Sequence, residues 1–128
     1  LIVAIANNSS KKPLFSIDER IEMINKCCGD FDNVTADSFD GLLVDYCYKN
    51  SVAIIIRGIR TSLDYEYEYG MSTLNMKLAP EVETVFLMSK REYSFVSSNI
   101  VKEVASYKGD ISSLVPPIAA EKLLEKYS

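Results

Sequence analysis

Ile54-Ile55-Ile56-Arg57-Gly58-Ile59-Arg60 is the stretch that decides the fold class of this chain. Three β-branched residues in succession make a short continuous apolar run, which reads as a strand buried on both faces of a parallel sheet. Two arginines flanking Gly58 and Ile59 then emerge where this strand, taken as residues 54–56, is expected to end. Ligands of open α/β sheets sit outside the carboxyl ends of the strands, and a planar guanidinium fork matches phosphate geometry. The junction reads as an anion-binding edge for a phosphorylated substrate.

Working outward, strands and helices alternate. Leu1-Ile2-Val3-Ala4-Ile5-Ala6 is already a core-type strand. Ser16-Ile17-Asp18-Glu19 has the form of a capping box and predicts a helix to about Cys28, with Ile17, Ile21 and Ile24 on one face. A weaker strand is expected near Val34-Thr35-Ala36, then a loop from Asp37 through Gly41 and a helix over 42–48. Leu63, Tyr67, Met71, Leu74 and Leu78 fall at helical spacing in a long helix that stops before Pro80 and contains Gly70. Glu83-Thr84-Val85-Phe86-Leu87-Met88 reads as a fourth strand. Ser97 and Ser98 open a helix carrying Ile100, Val101, Val104 and Ala105 and closed by Gly109, and Pro117 opens the last one, ending near Tyr127. The expectation is one α/β domain over residues 1–128, a parallel sheet with helices on both faces and right-handed crossovers.

With 128 residues, the chain suits one core. A net charge of -4 argues against a general nucleic-acid binder, whose affinity comes from broad phosphate neutralisation. The apolar runs are too short to span a membrane, and no signal-peptide pattern is visible. Cys27, Cys28 and Cys47 lack CxxC spacing, so a disulfide framework is not expected. The Cys27–Cys28 pair reads as small buried hydrophobes on a helix, with a reactive thiol as the lesser alternative, in a reducing, cytoplasmic setting. Histidine is absent, which removes the commonest general base and metal ligand.

Read at their carboxyl ends, the strands deliver Ser10-Lys11-Lys12, then Asp37 through Leu43, then Arg57 and Arg60, then Lys90-Arg91 and Tyr93 through Asn99. Three of the four ends are basic on an acidic chain, and their coincidence favours an anion site over scattered solvated lysines. Ser97-Ser98 adds free backbone N–H groups at a helix start. Simple N-capping explains the same serines, and the two roles are compatible.

Ser10-Lys11-Lys12-Pro13, Arg57-Gly58-Ile59-Arg60, Asp64-Tyr65-Glu66-Tyr67-Glu68, Asn75, Pro80-Glu81, Glu83 through Met88 and Tyr93-Ser94-Phe95-Val96-Ser97-Ser98 together resemble bacterial phosphopantetheine adenylyltransferases. The resemblance continues through Val101-Lys102-Glu103-Val104-Ala105 and Gly109-Asp110 and covers essentially the whole chain in register. It implies a Rossmann-like nucleotidyltransferase fold and transfer of the adenylyl group of ATP to 4'-phosphopantetheine, giving dephospho-coenzyme A and pyrophosphate. It also implies Mg²⁺ with ATP, coenzyme A as feedback inhibitor and a homo-hexamer. By position, Lys11 and Arg57 match residues that hold the phosphopantetheine phosphate, and Leu43 matches a backbone contact to the pantetheine arm. Gly58, Ile59, Arg60 and Glu68 match ATP contacts, as do Tyr93, Ser94, Phe95, Val96, Ser97, Ser98 and Asn99, where Asn99 replaces the family's serine. The family's T/H-x-G-H signature, which supplies its catalytic histidine, has no match. The chain is therefore read as lacking the first strand and helix of the family fold, with little activity expected alone and no catalytic or metal-ligating residue assigned in it.

The chemistry is compatible with that set. A phosphate nucleophile is largely ionised near neutral pH, its second pKa being about 6, so no side-chain base is required. Two alternatives stand beside this reading: a nucleotidyltransferase for another phosphorylated acceptor, and a non-catalytic nucleotide- or coenzyme-A-binding module. Tyr65, Tyr67 and Tyr69 cannot all share one helix face and read as packing or subunit contacts; Glu66 reads as a solvated or arginine-paired residue; Asp37 and Asp40 read as caps or turn formers; Lys12 reads as a supporting charge.

Overall fold

A computed structural model describes residues 1–8 and 12–128, in two compact units: residues 1–40 with 96–128, and residues 41–95. In the first, β1 (Ile2–Ala6) and β2 (Thr35–Phe39) pair in parallel, Ile2 opposite Thr35 and Ala6 opposite Phe39. α1 (Ile17–Cys27) connects them, and its capping box forms as the sequence predicts. The Glu19 N–H donates to the Ser16 hydroxyl at 3.2 Å, and the Ser16 N–H donates to the Glu19 carboxylate at 2.7 Å. α4 (Ser98–Ser106) and α5 (Pro117–Lys126) complete this unit. Its core joins Val101, Ala105, Ile111 and Leu123, with Leu14, Phe15 and Val96 packed against them. The Lys126 ammonium reaches Glu19 at 2.7 Å and ties α5 to α1.

β2 runs further than the sequence suggests. Asp37, Ser38 and Phe39 continue the ladder opposite Ala4, Ile5 and Ala6 instead of opening a loop. Weak strand formers are carried there by pairing with the strongly apolar β1.

The second unit contains α2 (Leu43–Lys49), β3 (Ile54–Ile59), α3 (Ser62–Leu78) and β4 (Glu83–Met88). β3 and β4 pair in parallel, Ile54 opposite Glu83 and Ile59 opposite Met88. Val44, Cys47, Ile55, Ala79 and Val82 form the core of this unit. The parallel α/β class stands; burial on both faces of β3 does not. Ile55 and Ile59 are 7% and 2% exposed, whereas Ile54 and Ile56 are 57% and 50% exposed. Side chains alternate along a strand, and within this unit only one face is covered. Val85 and Leu87, opposite Ile56 and Gly58, extend the open apolar face.

α3 forms over the helical spacing read in the sequence. Its apolar stripe of Leu63, Tyr67, Met71, Leu74 and Leu78 is exposed, while Ser72 and Asn75 are the buried residues of the helix. Helical spacing identifies a stripe but not its partner. Tyr65 and Tyr69 do share a face, stacked with ring centroids 5.8 Å apart, and Tyr65 meets Phe86 edge-on at 5.9 Å.

The cysteines divide as well. Cys47 is buried, but Cys27 is exposed and Cys28 half-buried, because they lie at the C-terminal end of α1 beyond its packed face. Burial pushes the Cys47 thiol above its ordinary value; burial and then the neighbouring Cys28 do the same for Cys27. Neither carries the depressed pKa of a nucleophilic thiol. Among the described residues, no helix is long and apolar enough to cross a membrane.

Candidate active site

The arginine junction differs from its sequence reading by three residues. β3 extends to Ile59, so Arg57 and Gly58 belong to the strand, opposite Phe86 and Leu87, and Arg60 alone follows it. Alternation then sets the direction of each side chain. Arg57 shares its face with the buried Ile55 and Ile59, and its stem therefore runs on the packed side of the sheet. Gly58 lies on the open face, where an added Cβ would meet nothing within 4 Å. Ile59 is buried, so its side chain serves the core and only its backbone borders the strand end.

α3 begins immediately afterwards. Thr61 is its N-cap, and the Asp64 N–H donates to the Thr61 hydroxyl at 3.1 Å. Asp64 and Glu68 stand four residues apart, hence on one helix face, and each takes one arginine. Arg57 donates from Nε to Glu68 Oε2 at 2.7 Å and from Nη2 to Oε1 at 2.5 Å. Arg60 donates from Nε to Asp64 Oδ2 at 3.1 Å, and its backbone N–H reaches the same oxygen at 3.2 Å. The two pairs differ in burial. The Glu68 side chain is 14% exposed against 29% for Asp64.

The titration behaviour follows. The hydrogen bonds that Arg57 donates to Glu68 hold its guanidinium above its ordinary value, against the opposing effect of burial. Burial raises the Asp64 carboxyl, but the Arg60 guanidinium and the N–H groups of Arg60 and Thr61 outweigh it and leave Asp64 below the ordinary value. Both guanidinium groups are thus held in place by carboxylates of α3. Such donors stabilise an anion without reorganising at the moment of binding.

Leu43 opens α2 with its side chain packed against the core of this unit, which leaves its backbone for any ligand contact. Tyr93 ends a short 3-10 turn (Arg91–Tyr93), and the Ser94 hydroxyl donates to the Arg91 carbonyl at 2.9 Å. Tyr93 and Phe95 are 48% and 59% exposed.

In the other unit, Ser97 is the N-cap of α4, accepting the Ile100 N–H at 3.3 Å. Capping is therefore observed for Ser97. Ser98 and Asn99 are exposed in the first turn, which holds no acidic residue, in contrast to α1 and α3. The positive end of the α4 dipole is not offset by its own side chains. Lys11 lies outside the described residues.

Asp64 is the functional neighbour that sequence reasoning missed, together with the pairing of Glu68 to Arg57. A signal existed: two acids four apart on a helix directly after two arginines three apart.

A parallel α/β chain with cationic groups fixed at the end of a strand is compatible with a nucleotidyl-transferring protein. The cytidylyltransferase-like family model matches residues 1–104, which fixes that class. Within it the similarity is closer still. A phosphopantetheine adenylyltransferase of Desulforamulus reducens is 49% identical over 99% of this chain and 79% of its own length. Those of Leptospira biflexa serovar Patoc and Dictyoglomus thermophilum are 50% and 53% identical, over 100% and 99% of this chain and 80% and 77% of their own lengths. The chain belongs to the phosphopantetheine adenylyltransferase family.

Proposed function

We propose that this chain takes part in adenylyl transfer from ATP to 4'-phosphopantetheine, with Arg57 on the acceptor phosphate and Arg60 on the nucleotide. The observation that carries the reading is the pair of guanidinium groups anchored by Glu68 and Asp64 at the carboxyl end of β3. A phosphate oxygen of the acceptor attacks the α-phosphorus of ATP; the new P–O–P bond forms as the bond from the α-phosphorus to the α,β-bridging oxygen breaks. Dephospho-coenzyme A and pyrophosphate are the products. Arg57 orients the nucleophile and screens its charge from the triphosphate, alignment alone being able to supply roughly 7–11 kcal/mol. The resemblance assigns Gly58, Ile59 and Tyr93 through Asn99 to ATP; taken by itself, the uncompensated start of α4 suits a phosphate. Lys11 is a second cation for the acceptor phosphate, and the Leu43 backbone a contact for the pantetheine arm.

Mg²⁺ bound with ATP would supply charge neutralisation for the pyrophosphate. Such an ion takes most of its oxygens from nucleotide and water. Coenzyme A, sharing both halves of the product, is the expected feedback inhibitor. The exposed stripe of Leu63, Tyr67, Met71, Leu74 and Leu78 supports a homo-oligomer. A cytoplasmic setting suits the supply of ATP and the three free thiols.

The test is product analysis by mass spectrometry. Dephospho-coenzyme A should appear when the protein is given ATP, Mg²⁺ and 4'-phosphopantetheine, and not when pantetheine replaces the phosphorylated acceptor. Its absence from the complete mixture would refute the reading.

A further inference from the structure

We infer that Asp64 is a positioning residue for the phosphates of ATP, acting through Arg60. The inference deepens the adenylyl-transfer reading above and rests on its assignment of Arg60 to the nucleotide. One carboxylate oxygen, Oδ2, accepts both the Arg60 backbone N–H at 3.2 Å and Arg60 Nε at 3.1 Å. The Arg60 side chain is thereby folded onto a group that also grips its own backbone, and Nη2 reaches Oδ1 at 3.5 Å. Asp64 is itself fixed, its N–H donating to the Thr61 hydroxyl at 3.1 Å. The direction of the guanidinium is thus set from the first turn of α3. The Arg60 side chain keeps 36% of its surface exposed, so an oxyanion can reach it beside the carboxylate.

Part of this arrangement serves the helix. Asp64 is the third residue after the Thr61 N-cap, where a capping box uses a carboxylate to reach back to the backbone. A cap alone places no demand on where the Arg60 guanidinium points. The negative charge of Asp64 also opposes a polyanion, so any benefit to ATP must come from ordering Arg60. That side chain is long and rotamer-rich, and freedom already lost in the unliganded protein is not lost again on binding. Being well exposed, the pair contributes little to stability by its charge. Its effect belongs in nucleotide affinity.

Asp64→Glu separates positioning from capping. Glutamate keeps the charge and is the residue a capping box prefers at that place, but one added methylene displaces the carboxylate from Arg60 Nε. Calorimetric titrations with ATP and Mg²⁺, and separately with 4'-phosphopantetheine, are run on the parent, Asp64→Glu, Arg60→Ala and the double variant, beside urea midpoints. Asp64→Glu should weaken ATP about fivefold and add nothing once Arg60 is alanine. The 4'-phosphopantetheine affinity and the urea midpoint should hold. Unchanged or tighter ATP binding would overturn the inference, as would losses that add in the double variant, the mark of Asp64 acting without Arg60. Should Asp64→Glu lower the midpoint, Asp64→Asn keeps the length and an acceptor oxygen for the backbone, and phenylglyoxal labelling reads the hold on Arg60 without substrate. Arg60 should react faster in Asp64→Asn than in the parent; equal rates would count against the inference. A parent that shows this dependence for ATP yet forms no dephospho-coenzyme A would refute the proposed function and support the inference, whereas a parent that binds no ATP would refute both.

Discussion

Gly109→Ala should destabilise the protein, for a reason visible only in three dimensions. α4 ends in a motif where the Lys108 N–H donates to the Ala105 carbonyl and the Gly109 N–H to the Val104 carbonyl, both at 2.9 Å. The left-handed position that usually takes glycine is held by Lys108, at φ 58°. Gly109 is required next to it by contact: an added Cβ would lie 2.7 Å from Val104 Cγ1 and 3.2 Å from the Val104 carbonyl oxygen. Carbon atoms prefer about 3.5–4.0 Å, so the overlap with Cγ1 must be relieved. Val104 is β-branched and has essentially one χ1 rotamer in a helix, and it packs against the core of its unit. Retreat of the backbone would break the Gly109 hydrogen bond. Overpacking of this kind costs about 1–3 kcal/mol, against about 0.4–1 kcal/mol returned by a stiffer unfolded chain. The net loss should be about 1–2 kcal/mol, read as a lower urea midpoint with unchanged slope. Lys108→Gly is the control, relieving left-handed strain and leaving the midpoint equal or higher. Gly109→Ala at or above parental stability would refute the reasoning.

Other outcomes are equally specific. Gly58→Ala should leave the urea midpoint within about 0.5 kcal/mol of the parent, since an added Cβ there meets open space, yet it should weaken ATP by calorimetry if nucleotide approaches that backbone; unchanged ATP affinity would remove the contact. Gly70→Ala, mid-helix, exposed and with open space for a methyl, should raise stability by about 0.8–1 kcal/mol, and a lower thermal midpoint would contradict it. Acid should destabilise the fold. Glu19, held below its ordinary 4.5 first by Lys126, and Asp110, held below 3.8 first by the Ser112 N–H, bind protons less readily folded than unfolded. Their contribution is complete above those ordinary values and drains as pH falls through them. The urea midpoint should drop below about pH 4.5, less steeply in Glu19→Gln; a flat profile in the parent would refute the linkage.

The elements whose signals are local were legible in the sequence. The capping box at Ser16, the stop before Pro80 and Pro117 at the first position of α5 each act within a few residues, and all stand in the structure. What escaped depended on contacts between elements. β2 and β3 outran their apolar cores because a neighbouring strand extends the ladder past residues of weak propensity. The buried face of α3 is polar, with its acids answering one arginine on β3 and one just after it, and the apolar stripe faces outward. The candidate arginines were readable as anion binders from residue type and position at a strand end. The acids four apart that follow the arginines hinted at such pairing, but which carboxylate of α3 meets which arginine depended on the register of a helix against a strand.

The most direct test is the affinity of Arg57→Ala for each substrate, measured by calorimetry. Charge-assisted hydrogen bonds to one phosphate contribute about 1.5–3 kcal/mol, so 4'-phosphopantetheine should bind roughly 10- to 150-fold more weakly while ATP changes far less. Equal affinity of variant and parent for 4'-phosphopantetheine would contradict the account.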